Sequence, residues 1–299
     1  MRCGHEVVSG TYYEVLGTPG NWPPVLMIHG GGATGACFRE DLNGGPGWAD
    51  QLAERGHEVW VTDWAGCGRS GNRQVIDIDY ADVVSGYRQL LSDVIGRPAV
   101  VVPHSMGGPI AWQLIEHEPE LVAGVVTIAA SSPGNIPPPS TVLADDGDVI
   151  KVRFQSSGAE FTIDRRRGYL YEDDYIYKQG IHTSSRFPMD RVGQMRAGLV
   201  ACPPRMILQR LGVLAGMPSV TDHAGFSGKR IRLIACTEDP AHSYEIETST
   251  TELLCSWGAN AEQVWLGERG ITGNGHFMFF EDNSKRILDI VDEQIIAVS

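Results

Sequence analysis

The sequence predicts an α/β fold: a mostly parallel central sheet with helices on both faces, interrupted once by an insert. Two observations carry this. Short, almost wholly apolar runs alternate with segments of helical spacing, which is how parallel strands buried on both faces and their crossover helices read. The rhythm breaks after Ser131 and returns at Lys229.

The elements follow in order. "TYYEVLG" alternates like an early edge strand, and "VLMIHGGG" (Val25–Gly32) is a buried strand ending in glycines. "GWADQLAERG" is a short helix stopped by Gly56, followed by the strand and loop "HEVWVTDWAGCGRSG". "DYADVVSGYRQLLSDVIG" keeps helical spacing to Gly96, where "AVVVPHSMGGPIAWQLI" (Ala99–Ile115) turns from strand to helix. "LVAGVVTIAAS" is a further strand. "SPGNIPPPS" (Ser132–Ser140) then interrupts the pattern, because proline lacks an N–H and fixes φ. Residues 137–221 are expected to form an inserted, mainly helical lid without strands comparable to the core. Residues 1–136 and 222–299 then make the core. In the second part come the strand of "KRIRLIACTEDP", the helix "SYEIETSTTELLCSWG", the strand "EQVWLGERG" and a last helix from about Asp282 to Ala297.

Composition narrows the function. With 42% hydrophobic and 20% charged residues the chain reads as a globular protein, and its net charge is −13. Phosphate binding needs clustered Lys and Arg, so nucleic acid and an anionic membrane are not expected partners. The one basic run, Arg165–Arg167, sits between acidic residues and reads as a solvated face. The six cysteines form no C-x-x-C pair and have no histidine at metal spacing, so reduced thiols and no bound metal are expected. "MRCGHEVVSG" has no apolar core of a signal, and no apolar run of about 18 residues occurs. A cytoplasmic protein is expected.

The chemistry gathers at Ser105. A serine hydroxyl aimed outward from the carboxyl end of a central strand needs an abrupt, strained reversal into the helix, with little bulk nearby. Gly107 and Gly108 supply that lack of bulk. The Met106 N–H, at the helix start, is placed to meet an oxyanion, and the backbone of Gly30 to Gly32 supplies a second donor. A serine needs a base, and the base an orienting acid. His276 lies in the glycine-rich loop "GITGNGHF" before the last helix, and Asp239 in "LIACTEDPAHS", just past a strand; Glu238 is its obvious competitor. Alone, Ser105 reads as an ordinary turn or cap, and Asp239 as a cap of the following helix. Four pieces at one sheet edge favour the chemical reading.

"HGGG", "VTDWAGCGRSG", "PHSMGG", "TEDP" and "GNGHF" together make the chain resemble the α/β-hydrolase-fold superfamily over nearly its whole length apart from the insert. "GWADQLAERGHEVWVTDWAGCGRS" and "GNGHFMFFEDNS" are similar to a group of bacterial esterase-like hydrolases. The resemblance implies Ser105 as nucleophile, His276 as base, Asp239 as acid, and Gly31 and Met106 as oxyanion donors. One departure is Pro103, which stands at the first glycine of G-x-S-x-G; its φ suits an extended backbone.

Gly30, His104, Tyr175 and Phe277 are candidate substrate contacts, Tyr175 from the aromatic stretch "GYLYEDDYIYKQGIH". His242 lies close enough to Asp239 to be of interest. The expected activity is hydrolysis of an ester, lactone or related acyl bond of a small to medium apolar molecule, without a cofactor. The alternatives are an acyltransferase, cyclase or lyase using the same residues, and a non-catalytic binding protein on this scaffold. An aspartate-nucleophile reaction is disfavoured, since the elbow residue is serine. Oligomeric state is not specified.

Overall fold

The computed structural model describes residues 7–8, 10–70, 73–155, 158–172 and 184–299. The strands are β1 (Val7–Val8), β2 (Thr11–Leu16), β3 (Val25–Ile28), β4 (Val59–Asp63), β5 (Ala99–Pro103), β6 (Val122–Ile128), β7 (Ser140–Asp145), β8 (Val149–Phe154), β9 (Glu160–Asp164), β10 (Arg230–Ala235) and β11 (Asn260–Trp265). The helices are α1 (Trp48–Glu54), α2 (Tyr80–Gln89), α3 (Gly108–His117), α4 (Val192–Ala197), α5 (Pro204–Arg210), α6 (Tyr244–Ser256) and α7 (Ser284–Val298).

Eight strands form the central sheet in the order β1-β2-β4-β3-β5-β6-β10-β11. β1 and β2 pair antiparallel, as do β2 and β4; every other pairing is parallel. β2 is therefore not the edge: β1 covers it.

The run Ala99–Pro103 is buried throughout because both faces of β5 are covered. Ala99 and Val101 enter one core with Tyr87 of α2 and Ile110, Trp112 and Leu114 of α3. Val100 and Val102 enter the other with Trp48 and Leu52 of α1 and Ile287, Val291 and Ile295 of α7. Alternate side chains of one strand thus supply opposite layers.

The expectation of a mainly helical insert without strands comparable to the core needs correction. β7, β8 and β9 form a separate three-stranded antiparallel sheet between β6 and β10, and only α4 and α5 are described as α-helices there. The sequence signal was present. "VIKVRF" and "EFTID" place Ile150, Val152, Phe154, Phe161 and Ile163 at alternate positions, all buried, with exposed Arg153 and Thr162 between them. The turn residues Asp146–Asp148 join β7 to β8.

Among the described residues no helix is long and apolar enough to cross a membrane. Cys37, Cys67, Cys202, Cys236 and Cys255 are all free thiols.

Close approach of α3 to β6 places the elbow. A Cβ added at Gly108 would lie 2.2 Å from the Ser131 carbonyl oxygen, which is backbone and cannot turn aside. Gly108→Ala is expected to lower unfolding free energy by about 1–3 kcal/mol through overpacking, measured by urea denaturation. Wild-type stability in that variant would contradict the close packing.

Candidate active site

Ser105 stands between β5 and α3 with φ of +50°, one of two described non-glycine residues in this sparsely populated region. The turn is held from both sides. Its N–H donates to Ala129 O (3.1 Å), Ser131 N–H donates to its carbonyl (2.8 Å), and His104 N–H donates to Ile28 O (2.8 Å). The serine is thus clamped between the ends of β3 and β6.

The Gly30–Gly32 loop lies against it. A Cβ on Gly30 would come within 2.7 Å of Ser105 Cβ, and one on Gly31 within 2.5 Å of Met106 Sδ, so the loop packs directly on the elbow. Asp63, at the end of β4, secures the start of the following turn: its carboxylate accepts from Gly35 N–H (2.8 Å) and from Arg69 N–H and Nε (both 2.9 Å). Met106 is in the first turn of the helical segment after the elbow, where N–H groups have no intrahelical acceptor. Gly31 lies against the Met106 side chain, next to the elbow.

His276 and Asp239 converge on Ser105. His276 Nε2 is 3.0 Å from Ser105 Oγ, and His276 Nδ1 is 2.7 Å from Asp239 Oδ2. Asn274 ties their two loops together: its Oδ1 accepts from Thr237 N–H (2.9 Å) and its carbonyl from Glu238 N–H (2.8 Å). Asp239 Oδ1 also accepts from Ala241 N–H at 2.9 Å. Burial alone would raise the Asp239 carboxyl, yet the charge and hydrogen bond of His276 outweigh it and hold the group well below the usual carboxylate range. Glu238 is engaged elsewhere, accepting from Ser185 N–H at 2.6 Å and Ser185 Oγ at 3.2 Å.

The expected substrate contacts fall in different places. His104 is buried behind the site, its Nε2 3.0 Å from the His276 carbonyl, so it steadies the histidine loop. Gly30 packs under Ser105, and neither residue is among those lining the cavity above the serine. Tyr175 lies outside the described residues. Phe277 lines a different cavity of about 450 Å³, bounded also by Ala33, Leu42, Met195 and Leu199.

The space over Ser105 is a cavity of about 50 Å³ walled by Phe154 of β8, Phe161 near β9's start, Tyr171, and Ile207 and Leu211 around α5. Two polar side chains join this wall. Arg210 donates through Nε to Ser131 Oγ (2.8 Å), its guanidinium 5.5 Å from the Phe154 ring centre, and His242 packs beside His276. Phe154 and Phe161 reach the cavity from strands of the insert. Nothing in sequence order singles out Arg210.

Asp239, His242 and His276 offer ligand atoms within 4.8 Å of one another, the one described cluster that could hold a metal ion. Asp239 and His276 already satisfy each other at 2.7 Å, so a metal there would have to break that bond.

Residues 25–290 match the model of the alpha/beta hydrolase family. The chain belongs to that family. It is 23% identical to a probable secreted lipase of a fungal species, over 90% of this chain and 80% of that protein. Its fold is similar to a monoacylglycerol lipase of Paleococcus ferrophilus, with TM-score 0.64 and 17% identity over 97% and 99% of the two chains. It is equally similar to a putative non-heme bromoperoxidase of Mycobacterium tuberculosis, with TM-score 0.64 and 17% identity over the whole of both chains. Proteins with such different names share the fold, which leaves the reaction to the site.

Glu281 closes the histidine loop from below, accepting from Gly275 N–H at 2.7 Å while 3% exposed. Burial pushes its carboxyl up to about 7. A raised acid binds its proton more tightly in the folded state, so its contribution is full below the ordinary glutamate range and is lost as pH rises towards 7. Unfolding free energy should therefore fall between about pH 4.5 and 7 by an amount that Glu281→Gln removes. Parallel pH–stability curves for the two proteins would contradict this.

Proposed function

We propose that the protein is a serine hydrolase that cleaves an ester, lactone or related acyl bond of a small to medium apolar molecule through an acyl-enzyme on Ser105. The observation that carries this is the pair of contacts at His276: 3.0 Å to Ser105 Oγ on one ring nitrogen and 2.7 Å to Asp239 on the other. A neutral imidazole so placed accepts the hydroxyl proton, while the carboxylate fixes the tautomer and stabilises the imidazolium.

Ser105 Oγ bonds to the acyl carbon, and the carbonyl π pair moves onto oxygen, facing the Met106 and Gly31 N–H groups. Collapse breaks the bond to the leaving group, which takes the proton from His276. Water then gives its proton to His276 and its oxygen to the acyl carbon; Ser105 leaves and regains the proton. No cofactor enters this cycle.

The aromatic and aliphatic wall formed by Phe154, Phe161, Tyr171 and Ile207 supports an apolar substrate, as does the likeness to two proteins named as lipases. Ser105→Ala is expected to cut turnover of chromogenic esters by roughly three orders of magnitude or more and to abolish fluorophosphonate labelling. In heavy-oxygen water the wild type should place one solvent oxygen in the acid product; a product without it would make the reaction acyl transfer or elimination. Undiminished turnover in Ser105→Ala would refute the proposal.

A further inference from the structure

Beside the proposed catalytic residues lies a second pair of buried titratable groups with no role in that cycle. His242, 3% exposed, precedes α6 at Ser243, the N-cap whose hydroxyl accepts from Ile246 N–H. Its ring lies nearly parallel to that of His276, with centres 5.2 Å apart and planes at 22°. Behind it, Glu247 of α6 is 1% exposed, with Oε1 3.3 Å from His242 Nδ1. The other oxygen of Glu247 has no hydrogen-bond partner among the described residues.

A fully buried carboxylate with one free oxygen is costly unless it holds its proton. Burial, and then the Asp239 charge, raise the Glu247 carboxyl well above the usual glutamate range. Burial likewise presses the His242 imidazole down to about 3. The charged or titratable groups around His242 are Asp239, His276, Arg210, Glu247 and His104, and burial outweighs the pull of Asp239. The pair is therefore a neutral acid donating to a neutral imidazole, whose remaining proton is on Nε2.

We propose that His242, held by its contact with Glu247, is a positioning residue whose ring, stacked on His276, holds the plane of that imidazole and faces its imidazolium form. The inference deepens the proposed function and rests on it for the role of His276. A neutral aromatic face attracts a cation beside it, whereas a charged His242 would repel it. An ionised Glu247 would favour a proton on His242, so an uncharged acid at 247 suits this task better than a carboxylate. Stacking also limits rotation of His276 about the Asp239 bond, which keeps Nε2 on Ser105.

The test pairs kinetics with direct titration of His276 by nitrogen-15 NMR in the resting protein. His242→Leu removes the ring face. It should lower kcat about three- to tenfold with KM within about twofold, and move the His276 titration and the acid limb of kcat/KM about half a unit to lower pH. The sign follows because losing a partner of the imidazolium makes it a stronger acid. His242→Phe, which restores a neutral ring, should return both readouts towards wild type. His242→Gln keeps a polar side chain without a ring, and should behave like His242→Leu if the latter fails to fold. Glu247→Gln, a neutral donor, should stay within twofold of wild type, while Glu247→Leu should resemble His242→Leu.

An unshifted His276 titration in both ringless variants would overturn the proposal. So would equal losses in His242→Phe and His242→Leu, or a Glu247→Gln variant as impaired as Glu247→Leu. NMR reports on His276 without turnover, so it can fail independently of the hydrolase reading. That reading fails separately if turnover survives Ser105→Ala.

Discussion

The whole arrangement depends on one backbone constraint: Ser105 held at positive φ where β5 becomes α3. An L-residue there is strained by roughly 1–3 kcal/mol and persists only if its surroundings over-determine it. Here they do, through hydrogen bonds of Ser105 to Ala129 and Ser131 and of His104 to Ile28. The same clamp explains why Gly30, Gly107 and Gly108 lack side chains: a Cβ on each would fall within 3 Å of Ser105 Cβ, Ile28 O and Ser131 O respectively. Strain at the serine and crowding around it are two aspects of one requirement, a hydroxyl projecting from the sheet edge.

The remaining parts are placed by loops that are themselves buried and hydrogen-bonded. Asn274, fully buried, links the Asp239 loop to the His276 loop, while His104 and Glu281 brace the latter from its two sides. Charge is distributed unevenly among these groups. Burial keeps His104, His242 and Glu247 neutral, and Asp239 alone is held ionised by a direct partner. The Asp239 charge, buried and hydrogen-bonded to the base, favours an imidazolium forming at His276.

The core and the convergent trio were legible in the sequence because their signals are local. Five-residue apolar runs, glycines at turns, and polar residues just past strand ends each follow from backbone geometry. Parallel topology then brings those ends to one edge. The pocket was less legible. Tyr171 belongs to its aromatic wall, His104 braces the histidine loop, and Phe154 and Phe161 come from strands within an insert expected to be helical. Arg210 faces the site only because α5 packs over it. Which side chain an inserted segment turns towards a distant serine depends on tertiary packing, for which neither propensity nor spacing has a local signature. The sequence places His242 three residues from Asp239, whereas its stacking on His276 is set by the packing of two distant loops.

The most direct test is a crystal structure of the protein after reaction with diethyl 4-nitrophenyl phosphate. The account expects phosphorus bonded to Ser105 Oγ, with the phosphoryl oxygen about 2.7–3.1 Å from the Met106 and Gly31 backbone nitrogens and His276 still bonded to Asp239. An adduct on another residue, or a phosphoryl oxygen turned away from those two nitrogens, would contradict it.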